Sequence, residues 1–309
     1  MLRYPDFLIV GAMKAGTTTL HADLGLHPSV YTSDLKELAF FSSEACLESG
    51  NQRLYKRHFE KAASDQICGE ASTQYTKIPQ FTGSAERAAS IVGPDLKIIY
   101  AVREPLDRIV SHYVHEFSRG ATDLSIDDAV RSDKRYIAFS SYYQQIKPWV
   151  GAFGRGNVAI VVFEEYMRNR GRGLRQLCDF LGIDSSVLEN RGAEELKSHL
   201  NHGSAQYRVE GAFAKLITTR SYRAVRRYVP ENIRKRVQRA VGRRRIPSDV
   251  NLSLATRSLV TQEILADQYS FIDLLGIDSD GLWEQWRGGG AIDSGVKSIS
   301  PVLTARPTH

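Results

Sequence analysis

The stretch Asp6-Phe-Leu-Ile-Val-Gly-Ala-Met-Lys-Ala-Gly-Thr-Thr-Thr-Leu-His-Ala-Asp-Leu24 decides how the rest of the chain is read. Phe7 to Val10 is an apolar run of strand length. Gly11 to Gly16 then form a loop, and Leu20, Leu24 and Leu26 supply the apolar positions of a helix that starts at Thr17. Strand, glycine loop and helix together make a phosphate cradle. The loop's N–H groups and the positive end of the helix point at one anion.

The spacing narrows the chemistry. A nucleotide triphosphatase loop reads G-x-x-x-x-G-K-[ST]. Gly11 and Gly16 keep the glycine spacing and Thr18 keeps the hydroxyl, but Thr17 stands where the lysine belongs. The lysine has moved to Lys14, on the crown of the loop, from which it reaches the phosphate nearest a reacting bond. A second motif sits about 90 residues on. Leu96-Lys-Ile-Ile-Tyr-Ala-Val-Arg103 reads as a buried strand ending in a cation. A triphosphatase is expected to carry a magnesium-holding aspartate on such a strand. An arginine there would bind a second anion bidentately. The helix that follows carries Ser111, with Leu106, Ile109, Val110, Tyr113, Val114 and Phe117 as its apolar face.

Lys14-Ala-Gly-Thr-Thr18 after an apolar strand resembles the 5′-phosphosulfate loop of sulfotransferases that use PAPS (3′-phosphoadenosine 5′-phosphosulfate). Arg103-Glu-Pro-Leu-Asp-Arg-Ile-Val-Ser-His-Tyr113 is similar to that family's 3′-phosphate motif, R-[ND]-P-x-[DE]-R-x-x-S-x-Y, with Glu104 as the departure. The resemblance implies that Lys14, Ala15, Gly16, Thr17 and Thr18 hold the 5′-phosphosulfate and that Arg103 and Ser111 hold the 3′-phosphate. Gly69-Glu-Ala-Ser-Thr-Gln-Tyr75 resembles a Gly-Glu-Lys-[Ser/Thr]-x-x-Tyr segment of heparan-type members. It implies Glu70 as the base that takes the acceptor's proton, with Lys14 stabilising the leaving phosphate. Ala71 replaces a lysine there and removes one anion contact. His112 and His115 rank behind Glu70, since a helix histidine beside a core face is usually structural. Lys36-Glu-Leu-Ala-Phe-Phe41 is similar to an element of the carbohydrate-type members, which hints that Lys36 faces substrate. Read without the resemblance, Lys36–Glu37 and Asp107–Arg108 are exposed pairs worth little. Ser141-Tyr-Tyr143 resembles a family segment near the nucleotide, although an aromatic there is more often core.

Strand candidates at 6–10, 66–70, 96–102 and 157–163 alternate with helices, the signature of a parallel α/β sheet. The expected fold class is therefore α/β. It is a three-layer P-loop-type fold, with a central parallel sheet flanked by helices and a basic helical C-terminal region. Helices are expected at 53–63, 79–92, 136–153, 173–181 and 253–275, and a loop at 197–208 that in relatives folds over the nucleotide, with Arg208 in it. One domain is expected over 1–287, with its core at 5–185 and a disordered, glycine- and serine-rich tail over 288–309.

The 309 residues carry a net charge of +6, unevenly spread. Residues 220–245 hold eleven Lys/Arg and one acid, Glu231, a local charge of +10 that leaves −4 elsewhere. Ile233, Val237, Ala240 and Val241 give 230–241 the stripe of a basic amphipathic helix, which can lie on an anionic membrane or bind an acidic polymer. The bland alternative is a solvated helix packed on the domain. Few aromatics interleave those arginines, so nucleic acid is not expected as a partner. Cys46, Cys68 and Cys178 lie far apart and imply a reduced compartment. No apolar run approaches the roughly 20 residues of a membrane span. The first strand also begins too early for a signal peptide. A cytoplasmic location is the expectation. No metal-ligand spacing appears. The reading as a whole is an enzyme that uses PAPS without a metal, releases PAP (3′-phosphoadenosine 5′-phosphate), and sulfates a small-molecule or glycan acceptor. A P-loop kinase or NTPase, and a basic membrane- or nucleic-acid-binding module, are the alternatives.

Overall fold

The structure, a computed structural model, describes residues 2–188, 207–210, 242–245, 250–276, 282–283 and 302–304. Five strands form its centre: β1 (Phe7–Gly11), β2 (Val30–Thr32), β3 (Ile67–Ala71), β4 (Lys97–Val102) and β5 (Val158–Val162). All run parallel in the order β2-β3-β1-β4-β5. Phe7 of β1 pairs with Gly69 on one side and Lys97 on the other. Every residue of β1 and β5 is buried. A parallel sheet covered on both faces has no polar side, so its strands read as unbroken apolar runs.

Helices flank the sheet, as expected for the fold class. α1 (Thr17–Leu24) lies against β1 and β3, and α7 (Tyr142–Phe153) against β4 and β5. α3 (Ser84–Val92) and α10 (Leu254–Leu275) pack on α7, while α9 (Arg170–Leu181) covers β5. The remaining helices are α2 (Ser49–Lys56), α4 (Pro105–Ser118), α5 (Ile126–Ser132), α6 (Arg135–Ala138) and α8 (Phe163–Arg168). α1 is tied to the far end of the fold by a buried cluster. Asp23, fully buried, accepts from Tyr166 Oη at 2.8 Å and from Arg170 Nε at 3.1 Å.

Several element limits differ from the sequence expectation. The helix expected over 79–92 begins only at Ser84, because Gly83 takes a left-handed φ of 73° and sets its start. The helix expected over 136–153 breaks at Phe139–Ser141 into α6 and α7. At the break the Ser140 hydroxyl accepts from Arg108 and its carbonyl from Gln268. The helix expected over 53–63 is α2 followed by a 3-10 turn at Arg57–Phe59.

The tail expected to be disordered contributes β8 (Val302–Thr304), which pairs antiparallel with β5 and buries Val302. An open sheet edge is a ready pairing site, and this short strand covers it. The basic segment ends not as helix but as β7 (Gly242–Arg245), antiparallel to β6 (Tyr207–Glu210). β6 takes Arg208 out of the expected loop. The amphipathic helix read at 230–241 lies outside the described residues, as do 197–206 of that loop. No described helix is long and apolar enough to cross a membrane.

Candidate active site

The loop after β1 is curled by backbone, not by side chains. Gly11 has φ 153°, and a Cβ there would stand 1.9 Å from Thr76 Oγ1. Thr76 Oγ1 donates to the Val10 carbonyl at 2.8 Å, so the turn after β3 seals the loop's entrance. Lys14 has φ 73° and Gly16 φ 82°. A left-handed conformation at a non-glycine residue costs about 1–2 kcal/mol, and here it lifts Lys14 onto the crown. A Cβ on Gly16 would meet the Phe163 ring at 2.6 Å. Gly16 is the N-cap of α1 and no side chain caps that end, which leaves the first N–H groups of α1 for an anion. Ala15 and Thr17 are buried beneath the loop, and Thr18 is exposed at its edge.

The second anion position lies one strand away. Arg103 follows β4, with its guanidinium 5.2 Å from the centre of the Phe163 ring and 3.6 Å from Asp107. Tyr142 fixes its backbone twice, since Oη accepts from Arg103 N–H at 3.3 Å and donates to its carbonyl at 2.5 Å. Tyr142 is thus a buried positioning group rather than a stacking platform. Arg103 Nε is buried and has no partner among the described residues. Glu104 caps α4, its carboxylate accepting from Leu106 N at 3.1 Å and Asp107 N at 2.7 Å. Its departure from the usual Asn or Asp therefore keeps the capping function. Ser111 sits two turns into α4, half-buried.

Arg108 does not belong to an exposed pair. It is fully buried and donates to Ser140 Oγ and the Tyr136 carbonyl, both at 2.6 Å. Helix periodicity turns it inward, away from Asp107, and one of its terminal nitrogens, Nη1, is buried without a partner among the described residues.

Positive charge converges on the loop. Burial, then Arg103, Arg119 and Arg108, hold the Lys14 ammonium below its ordinary pKa. His115 is pushed down to about 3 by burial, then by Arg119 and Lys14. Lys36 donates to Thr18 Oγ1 at 2.8 Å and is lowered by burial. Like charges crowded at low dielectric depress each other's protonation, and a polyanion relieves that repulsion. Two buried guanidinium nitrogens without partners among the described residues, an uncapped helix start and a group of cations fit a ligand with two separated phosphate groups.

The carboxylates divide differently from the sequence reading. Glu70, expected as the base, is fully buried on β3. Its Oε1 accepts from Tyr75 Oη at 2.5 Å and Tyr55 Oη at 3.1 Å, and its Oε2 from Ser72 Oγ at 2.7 Å. Desolvation pushes its pKa up to about 7 against those hydrogen bonds. A carboxylate enclosed by three protein hydroxyls has no open approach for an acceptor. Glu37 does. It is exposed, at φ 60°, and its N–H donates to the carbonyl of Ala71 at the carboxyl end of β3 at 2.8 Å. Its carboxylate accepts from Thr73 N at 3.0 Å and from Thr73 Oγ1 at 3.1 Å. Ligands of open parallel sheets bind outside the carboxyl ends of strands, where Glu37 stands. Lys36 and Glu37 therefore bridge α1 to the turn after β3 instead of forming a solvated pair.

Sequence reasoning passed over Glu37 although it quoted the Lys36–Phe41 element. The only signal was the resemblance of that element to one in carbohydrate-type members, which was read for Lys36 alone. His112 is a core group, 1% exposed, against the rings of Tyr136 and Phe139, and burial holds it at about 4.

Comparison with known proteins identifies the family of the chain. The family model described as "Sulfotransferase domain" matches residues 4–235. Human bifunctional heparan sulfate N-deacetylase/N-sulfotransferase 2 is 27% identical over 200 residues, covering 59% of this chain and 22% of that protein. Human heparan sulfate glucosamine 3-O-sulfotransferase 6 is 27% identical over 195 residues, covering 60% of this chain and 55% of that one. The chain thus spans about a fifth to a half of the length of these relatives. The sulfotransferase from Alicyclobacillus acidocaldarius shares the fold, with a TM-score of 0.63 at 22% identity over 92% of this chain and 99% of that one. With the family model matching three-quarters of its length, over the residues that build the loop and the second anion position, this chain belongs to the sulfotransferase domain family.

Proposed function

We propose that the protein moves a sulfuryl group from PAPS to a hydroxyl or amine of a carbohydrate, glycolipid or glycosylated natural product. The observation that carries this is Lys14 raised on the loop crown, with the separate anion position at Arg103 one strand away. PAPS brings a sulfuryl group whose bond to the 5′-phosphate oxygen breaks, the bond pair leaving with PAP, as a bond to the acceptor atom forms. Catalysis of such a transfer is mostly positioning and charge stabilisation.

The chain's own residues divide that work. Gly16, Thr17 and Thr18, with the start of α1, hold the 5′-phosphate, and Ala15 beneath them keeps the loop close. Lys14 neutralises charge on the leaving phosphate. Arg103 and Ser111 hold the 3′-phosphate and so separate PAPS from ATP or AMP. Glu37 takes the acceptor's proton, in the place the sequence assigned to Glu70. Glu70 keeps the Tyr55–Tyr75–Ser72 cluster beneath it in register. The magnesium-dependent kinase reading loses support because Arg103 follows β4 where an aspartate would be needed.

The heparan sulfate enzymes named above support a sugar acceptor, which is why carbohydrate stands first. The test is transfer of label from sulfur-35 PAPS to a panel of heparosan oligosaccharides, glycolipids and phenols. Label on a sugar is the expected result. Label on phenols alone would overturn the acceptor class.

A further inference from the structure

The peptide group between Arg103 and Glu104 is gripped at both ends. Its carbonyl, on Arg103, accepts from Tyr142 Oη at 2.5 Å. Its N–H, on Glu104, donates to Glu164 Oε1 at 2.8 Å. Glu164 stands in the first turn of α8, directly after Phe163, whose ring lies 5.2 Å from the Arg103 guanidinium and against Gly16 of the loop. One further side chain touches both grips. Trp283 Nε1 donates to Glu164 Oε2 at 3.3 Å, and its indole packs on the Tyr142 ring with centroids 6.0 Å apart. Trp283 is buried, and it lies beyond residues 4–235, the stretch that the family model matches.

A peptide plane held at its carbonyl and at its N–H has one orientation, and that orientation sets where the Arg103 side chain starts. A recognition group keeps its place to within about 0.5 Å only when the groups behind it are themselves locked. Glu164 is partly exposed, so water competes for its two oxygens. The indole N–H fixes one of them and leaves the other facing Glu104. Tyr142 is fully buried, with Trp283 and Phe271 of α10 as ring neighbours. The C-terminal part of the chain thus bears on the end of β5 twice, through Trp283 at Glu164 and through β8, where Val302 pairs with Val161.

We propose that Trp283 is a positioning residue for the 3′-phosphate. Through Glu164 and Tyr142 it holds the Arg103–Glu104 peptide, and with it the Arg103 guanidinium, in the orientation that the phosphate needs. This rests on the reading of Arg103 as the 3′-phosphate ligand. In this role Trp283 acts only through those two residues. The C-terminal segment is then part of donor recognition and not only a cover for the sheet edge.

The test needs no acceptor. PAP and AMP are titrated calorimetrically, without magnesium, into the wild type, Trp283→Phe, Glu164→Gln and the double variant. Phenylalanine keeps a ring against Tyr142 and removes the N–H donor. Glutamine keeps an oxygen for the Glu104 N–H and turns its amide donor toward the indole. PAP affinity is expected to fall about three- to tenfold in either single variant, the share of one hydrogen bond, while AMP affinity stays within about twofold. The double variant should lose no more than the singles, because both break one link. Equal losses for PAP and AMP would overturn the proposal, since Trp283 would then only support the fold. Unchanged PAP affinity, or losses that add in the double variant, would overturn it as well. Glu164→Gln leaves the indole in place, so it decides the question if Trp283→Phe folds poorly. A wild type that binds PAP no better than AMP would overturn the 3′-phosphate reading itself, and this proposal with it.

Discussion

Replacing Glu70 with glutamine separates a structural carboxylate from a catalytic one. In the folded protein Glu70 is fully enclosed and its pKa is raised from 4.5 to about 7, with desolvation as the first cause. An acid whose folded pKa lies above its unfolded one is held in its protonated form by folding. Below the unfolded value the group is protonated in both states and costs nothing. As pH rises the unfolded chain gives up the proton first, so stability falls across the window from about 4.5 to about 7 and the full penalty holds above it. At about 1.4 kcal/mol per pKa unit, the wild type carries a penalty of about 3 kcal/mol at neutral to alkaline pH. Glutamine has no such penalty. Its amide oxygen can accept from Tyr55 and Tyr75, and its amide nitrogen can donate to Ser72 at the cost of that hydroxyl's own acceptor, about 1 kcal/mol. Urea unfolding at about pH 5 and about pH 8 should therefore show Glu70→Gln near or slightly below the wild type in acid, and about 2 kcal/mol or more above it in alkali. Turnover should persist. A stability difference that does not change with pH would refute the enclosed, proton-holding carboxylate. Loss of turnover beyond about a hundredfold would return Glu70 to the chemistry.

Two further outcomes follow from the same site and its scaffold. Glu37→Gln should lower turnover by about 10²–10⁴-fold, the range for a lost general base, with PAP affinity unchanged by calorimetry. Full turnover in this variant would remove Glu37 from the reaction. Asp23→Ala takes the carboxylate away from the buried Arg170 charge and should cost about 3 kcal/mol or more in urea unfolding, and wild-type stability would contradict the role given to that cluster.

The sheet was legible because buried parallel strands are short apolar runs, and Phe7–Val10, Ile98–Val102 and Val158–Val162 are such runs. The loop was legible because Gly11 and Gly16, at a fixed spacing, supply the positive φ values that curl it. The base was not. In a strand covered on both faces, alternation no longer says which side chain points inward, so Glu70 at the end of β3 looked as available as any carboxylate there. Glu37 reaches the site only because Glu37 and Ala39 take φ values of 60° and 54°, a turn that no glycine announces. The helix limits failed where a polar side chain outbid periodicity, as Arg108 does at Ser140. The basic stretch of 220–241 is unusual in composition alone, and composition does not place it against the site.

The central claim is that the loop and Arg103 together recognise a nucleotide with two separated phosphates. Titration of PAP and AMP in the absence of magnesium, into the wild type and Arg103→Ala, tests it most directly. The account predicts that PAP binds the wild type at least about tenfold more tightly than AMP, and that Arg103→Ala loses most of that preference while still binding AMP. Equal affinity for the two nucleotides in the wild type, or an undiminished preference in Arg103→Ala, would contradict it.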